Sequence, residues 1–302
     1  MPANVDHLLL VGFGGPTSRA EVRPFLERVT RGLPIPPARI GQVEHQYEQA
    51  GGFSPYNAHA MRLAQRVAAR LRELNAPLPV LVGMRQWNPL LAEILAQAKR
   101  EELLRGVAFV LAPHRSPASY DKYVETLDQA RTESGWTGTY RIVSGWHADP
   151  SFVSAQADRV KEVMSGADPR STRLLFTAHS IPEAMAARCG YAAEFRETAE
   201  RVAQVLGWAD WEIAYQSRSG NPREPWLGPD VLETIRRLKG TADGVLLVPA
   251  GFLFDHTEVL FDLDIQARAE AEGCGLVFRR ASTVMDHPSF VELIARRAIE
   301  AG

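Results

Sequence analysis

The feature that most constrains this chain is a repeated alternation of short apolar runs with longer amphipathic stretches. Eight runs rich in Val, Leu, Ile, Phe and Ala lie at 7–12, 80–84, 107–112, 139–144, 173–178, 211–216, 244–249 and 275–280. Near-continuous apolar strands of this kind suit a parallel sheet buried on both faces by helices. The stretches between them carry helix signals. Ser18-x-x-Glu21 reads as a capping box, and Asn88-Pro89 and Asp149-Pro150 each place a cap before a first-turn proline. Within 57–74, Met61, Ala64, Val67, Ala68 and Leu71 form one apolar stripe. The expected fold class is therefore α/β, with two doubly wound, four-stranded parallel domains over 1–150 and 151–302. The boundary falls within 145–171, where the helix after Asp149 joins the halves. Val110-Leu-Ala-Pro-His114 and Leu175-Phe-Thr-Ala-His179 echo each other across them. The one long loop expected is 217–229.

Composition narrows the class. The 302 residues suggest about two domains, and 45% hydrophobic residues can fill their cores. Lys plus Arg is 34 and Asp plus Glu is 36, a formal net charge of −2. Such balance supplies no global field to hold nucleic acid or an anionic membrane. The longest apolar runs are strand-sized, so no transmembrane segment is expected. Residues 1–6 lack the basic and apolar regions of a signal peptide. Cys189 and Cys274 are too few for a disulfide framework or a four-thiolate cluster. A cytoplasmic protein that binds no nucleic acid is expected.

In open parallel sheets, ligands bind beyond the carboxyl ends of the strands. Those ends carry Gly12-Phe-Gly-Gly-Pro16, Gly83-Met-Arg-Gln-Trp87, Pro113-His-Arg-Ser-Pro117, His179-Ser-Ile-Pro182, Gln216-Ser-Arg218 and Asp255-His-Thr-Glu258. The glycine run lacks the third glycine of a dinucleotide fingerprint, because Thr17 stands there. A tight turn that lets a flat ligand approach the backbone is the better reading. His179 directly follows its strand, and Glu258 and Asp262 are four apart on the helix after the seventh run. Like charges at that spacing repel unless a cation visits, although an acidic face capping a helix N-terminus is the bland alternative. His, Glu and Asp together suit divalent Fe, Zn or Co. Serine hydrolysis lacks its Gly-x-Ser-x-Gly elbow.

Aromatic residues Phe13, Trp87, Tyr120, Tyr123, Trp146 and Trp226 sit in or near these loops, with Arg31, Arg85, Arg115, Lys122 and Arg218. Singly they suit loop packing; together they suit a large, flat, acidic ligand such as a tetrapyrrole.

The motifs resemble those of the ferrochelatase family, most closely its coproporphyrin III branch. They are Gln46-Tyr-Glu-Gln-Ala-Gly-Gly-Phe-Ser-Pro55, Leu111-Ala-Pro-His114 with Tyr123, Ala178-His-Ser-Ile-Pro182, Gln216-Ser, Glu224-Pro-Trp-Leu-Gly-Pro-Asp230 and Gly251-Phe-Leu-Phe-Asp-His-Thr-Glu-Val-Leu260. They run in family order across nearly the whole chain. The resemblance implies two Rossmann-like domains facing a porphyrin cleft and a lyase of heme biosynthesis that inserts Fe²⁺ into a porphyrin, giving coproheme from coproporphyrin III. It implies catalytic His179 and Glu258 and metal-handling His179, Glu258 and Asp262. The implied substrate-binding residues are Phe13, Arg31, Gln46, Tyr47, Ser54, Arg115, Tyr123 and Trp226. Fe²⁺ is then a substrate, with no tightly bound cofactor and no iron–sulfur cluster. The expected state is a monomer making only transient contact with neighbouring heme-pathway enzymes. The coproporphyrin branch carries Tyr, Arg and Arg where this chain has Phe13, Thr30 and Gln46, and Gln266 replaces an acid beyond Asp262. Two alternatives therefore stay open: a protoporphyrin IX ferrochelatase, and a non-catalytic tetrapyrrole or heme carrier. Chelation of cobalt or nickel in another tetrapyrrole also suits the ligand types.

Overall fold

The structure is a computed structural model and describes residues 5–32, 35–219 and 223–302. Part of the segment read for a leader (1–4) and part of the loop 217–229 (220–222) lie outside the described residues. The chain forms two compact units, each built on one four-stranded parallel sheet.

The first unit comprises Met1–Leu111, Ser119–Gly145 and Met285–Gly302. Its strands are β1 (His7–Gly12), β2 (Val80–Met84), β3 (Arg105–Val110) and β4 (Thr139–Val143), in the order β2-β1-β3-β4. Leu9 of β1 stands between Leu81 and Ala108 in the ladder. Leu8, Leu9, Leu10 and Val11 are all fully buried, as expected for a strand covered on both faces. Helix Tyr56–Glu73 buries Tyr56, Asn57, Ala60, Leu63, Ala64, Val67 and Leu71. The stripe is rotated from the one read in the sequence, because Met61 is 47% exposed and Ala60 and Leu63 take the inward edge.

The second unit comprises Ala112–Ala118 and Trp146–Val284. Its strands are β5 (Thr172–His179), β6 (Trp211–Gln216), β7 (Gly244–Val248) and β8 (Val277–Arg280), in the order β6-β5-β7-β8. His179 is in register with Gln216, and Phe176 with Val248. Phe176, Phe195, Val202 and Leu246 belong to the core on one face of this sheet, and Leu175, Ile235, Leu247 and Leu263 to that on the other.

The units are not the contiguous halves that a cut near residue 150 implies. Helix Pro288–Ala301 belongs to the first unit, where Arg70 Nε donates to Glu292 at 2.6 Å and Phe109 meets Phe290 edge-on. The short segment Ala112–Ala118 belongs to the second unit, where buried His114 Nε2 bonds the Thr198 hydroxyl at 3.0 Å. The helix after Asp149, Pro150–Val163, also lies wholly in the second unit. Contacts of the C-terminal helix and of the internal segment Ala112–Ala118 thus override sequence proximity.

Of the three helix-start signals, one forms as read. Asp149 accepts from the Ser151 amide at 3.0 Å. Ser18 makes no side-chain cap, and Glu21 instead accepts from the Thr17 amide and hydroxyl and from the Trp87 indole. Asn88-Pro89 is a cis peptide, and the helix begins later, at Leu91.

Candidate metal and porphyrin site

In the second unit the strand ends place chemistry as the topology requires. His179 is the last residue of β5, and Tyr191 donates its hydroxyl to the His179 carbonyl at 2.8 Å. Gly251, after β7, packs its backbone so close to β5 that a Cβ there would stand 2.5 Å from that of Ala178. Only glycine permits this approach, which leads the following segment past the end of β5.

The His179 ring is fixed by its own chain. Nδ1 lies 2.5 Å from the Ser180 carbonyl. A carbonyl only accepts, so Nδ1 carries the proton and Nε2 presents a lone pair. That lone pair faces Glu258 Oε1 at 4.0 Å. Glu258 lies on the short helix Thr257–Val259, and its side chain is 52% exposed. Its amide is capped by His256 Nδ1 at 3.2 Å.

From Leu260 to Ala267 the backbone is a π-helix, not the α-helix read in the sequence. Its i→i+5 bonding widens the turn, a geometry frequent at functional sites. Asp262 sits in this segment and accepts from the Ser217 hydroxyl and from Gln216 Nε2. Ser217 takes a positive φ of 61° to make that bond, a strained conformation for a non-glycine residue. Burial raises the Asp262 carboxyl to a pKa of about 6; the Glu258 charge adds to the rise, and the Ser217 and Gln216 hydrogen bonds oppose it. Asp262 therefore changes charge just below neutrality.

The three residues read as a metal set do not form a closed ligand cage. Among the described residues no group of three His, Cys, Asp or Glu side chains converges closely enough to hold a metal ion. His179 and Glu258 face each other across a gap, while Asp262 turns its carboxylate to Ser217 and Gln216. Gln216 and Ser217, quoted in the motif but given no role, hold Asp262; the signal was their position at a strand end.

The expected substrate-binding residues divide between the units. In the second unit, Trp226 is half-buried, with its indole nitrogen shielded and without a partner. Arg115 is exposed, and its amide donates to Glu194 at 2.7 Å. In the first unit, the Phe13 amide donates to the Tyr56 hydroxyl at 2.9 Å, and the Arg85 guanidinium lies 5.9 Å from the Phe13 ring centre. Phe25, at the centre of an aromatic cluster, meets Phe13, Tyr47 and Trp87 edge-on. Tyr123 is buried against the Tyr56 hydroxyl, whose pKa burial pushes up to about 12. Ser54 is buried and backs onto Gly15. Gln46 is half-buried beside Tyr47, and Arg31 is exposed at a helix end. The glycine run is a packing device: a Cβ at Gly12 would stand 2.8 Å from the Met84 sulfur.

A family model settles the kinship. Its description is ferrochelatase, and it matches residues 6–301. The chain belongs to the ferrochelatase family. Members are lyases that insert iron into a porphyrin. A ferrochelatase of Rhodopirellula baltica is 39% identical over 295 residues, covering 96% of this chain and 84% of that one. A coproporphyrin III ferrochelatase of Mycobacterium marinum is 36% identical over 300 residues, covering 98% and 86%. Among solved structures, SirB from Bacillus subtilis with Fe³⁺ superimposes with a TM-score of 0.61 at 12% identity, covering 99% of this chain and 96% of that one. CbiX, the terminal enzyme of siroheme biosynthesis in denitrifying bacteria, gives 0.57 at 17% identity, covering 98% and 99%. At these identities the two structures speak for a chelatase-like fold alone. No helix among the described residues is long and apolar enough to cross a membrane.

Proposed function

We propose that this ferrochelatase takes coproporphyrin III and releases coproheme, using His179, Glu258 and Asp262 of the second unit. The observation that carries the site reading is the bare Nε2 of His179 facing Glu258 at 4.0 Å. The reaction exchanges two pyrrolic protons for one dication, so a base and a cation-facing carboxylate must work near the same ring. His179 is the base: Nδ1 is committed to the Ser180 carbonyl, so the proton arrives at Nε2. Glu258, half in solvent, offsets the charge of Fe²⁺ as it sheds water. Asp262, with a pKa of about 6, takes up and releases protons at little cost near neutral pH.

The substrate reading rests on relatives such as that of M. marinum, whose name specifies coproporphyrin III. Against it stand Thr30 and Gln46, which offer no charge to a propionate. Thr30 turns its hydroxyl back onto the Leu26 carbonyl at 2.8 Å. The test mixes the protein anaerobically with Fe²⁺ and either coproporphyrin III or protoporphyrin IX and follows loss of the free-base spectrum. Faster turnover of coproporphyrin III is expected. Preference for protoporphyrin IX would transfer the chain to the other substrate class, and stoichiometric binding without turnover would make it a carrier.

A further inference from the structure

Arg280 ends β8, well away in sequence from the residues of the site, and its side chain is only 11% exposed. All five of its N–H donors are used. Nε and Nη2 form a fork on the Asp264 carboxylate, both at 2.7 Å. Nη1 and Nη2 reach the two Asp255 oxygens at 3.1 and 3.3 Å, and Nη1 also reaches the Ala281 carbonyl at 3.1 Å. Asp255 accepts in addition from the Thr283 amide at 3.1 Å.

The two carboxylates bracket the metal-facing segment. Asp255 lies three residues before Glu258, and Asp264 lies two after Asp262, inside the π-helix. A π turn has poorer backbone geometry than an α turn and persists only where its surroundings over-determine it. Here the Asp264 carboxylate is gripped by Arg280, and its backbone carbonyl accepts from Arg268 Nε at 3.2 Å. One guanidinium at the end of the edge strand β8 thus ties together both ends of the segment that carries Glu258 and Asp262.

We infer that Arg280 is a positioning residue for metal delivery. By joining Asp255 to Asp264 it fixes the π register that keeps Glu258 opposite His179 and Asp262 against Ser217. Without the guanidinium the two carboxylates repel, the bracket opens and the segment relaxes toward α geometry. The porphyrin-contacting side chains are not part of this network, so the loss falls on the metal alone. The inference rests on the proposed roles of His179 and Glu258.

The test compares the unaltered protein with Arg280→Met and Arg280→Lys in anaerobic Fe²⁺ insertion well below the melting temperature. KM for Fe²⁺, KM for porphyrin and kcat are measured separately. Arg280→Met should lower kcat/KM for Fe²⁺ by about 10–100-fold, the range for lost support of a metal-facing group, with KM for porphyrin unchanged. Arg280→Lys keeps the charge but not the double fork and should fall between. Amide hydrogen exchange over 255–267 should quicken in Arg280→Met, with the other strand and helix cores unaltered. If Arg280→Met fails to fold, Asp264→Asn and Arg280→Lys must still show the same split in smaller degree. Variants that melt earlier but keep wild-type kcat and both KM values would show a merely structural strut and overturn the inference. Failure of the wild type to insert iron would instead defeat the site reading on which it rests.

Discussion

The two units share one scaffold and differ in what their strand ends deliver. Both sheets are four parallel strands in the same order, with the second strand at one edge, then the first, third and fourth. At the carboxyl end of β1 the chain presents Phe13, which joins an aromatic cluster around Phe25. At the carboxyl end of β5, the equivalent strand, it presents His179 with a free ring nitrogen facing a carboxylate. The first edge is held by aromatic packing and by backbone amides bound within the unit, Gly15 to Asn57 at 3.0 Å and Phe13 to the Tyr56 hydroxyl at 2.9 Å. The second edge keeps a ring nitrogen and a half-exposed Glu258 unspent, beside an Asp262 that Ser217 and Gln216 hold and whose pKa sits near 6. The same backbone plan thus carries mainly aromatic packing at one edge and a facing imidazole and carboxylate at the other. Fold says little about function until the loops are read.

Three substitutions would break or sharpen that contrast. The largest expected effect is in the first unit. Phe25 is buried at the centre of its cluster, and Phe25→Ala should cost about 3–5 kcal/mol by leaving a cavity. Denaturant titration should show that loss, with KM for Fe²⁺ unchanged in the fraction that remains folded. A selective rise in KM for Fe²⁺ would mean that the first edge is not simply packing.

Asp262→Asn is next and carries a pH signature. The folded-state pKa of Asp262 is raised from 3.8 to about 6, so folding favours its protonated form. Its contribution to stability is therefore full below about pH 4 and is lost as pH rises through 6, by up to about 3 kcal/mol. Asparagine imitates the protonated form at every pH. The variant should match the wild type near pH 4 and exceed it in stability above pH 6, as thermal melts across that range would show. A difference independent of pH would contradict the burial account. Glu258→Gln is smaller in free energy but more selective. Because Glu258 is half-exposed and pairs only loosely with His179, stability should hardly change. KM for Fe²⁺ should rise about 10–100-fold, whereas equal losses with every substrate would indicate a general folding defect.

Much of this was legible in the sequence. All eight strands followed from the apolar runs, and so did the place of His179 at the end of β5, while Glu258 was singled out by its position in the family motif. The parts that were not legible share a cause: they depend on contacts between residues distant in sequence. Ser18-x-x-Glu21 has the pattern of a capping box, but Trp87 and Thr17 claim the Glu21 carboxylate. Met61 fits the helical stripe by spacing, yet the packing of helix Tyr56–Glu73 turns Leu63 inward instead. Nothing local in Leu-Phe-Asp-Leu-Asp-Ile-Gln-Ala marks a π-helix. Its register is tied to Arg280, sixteen residues beyond Asp264. The assignment of the last helix to the first unit depends likewise on Phe109 meeting Phe290.

The central claim is that iron insertion depends on the unspent nitrogen of His179. Anaerobic single-turnover metallation of coproporphyrin III by wild type and His179→Ala tests it most directly. Removing a positioned base should lower the rate by about 10²–10⁴-fold while porphyrin binding persists. A His179→Ala protein that metallates at the wild-type rate would contradict the account.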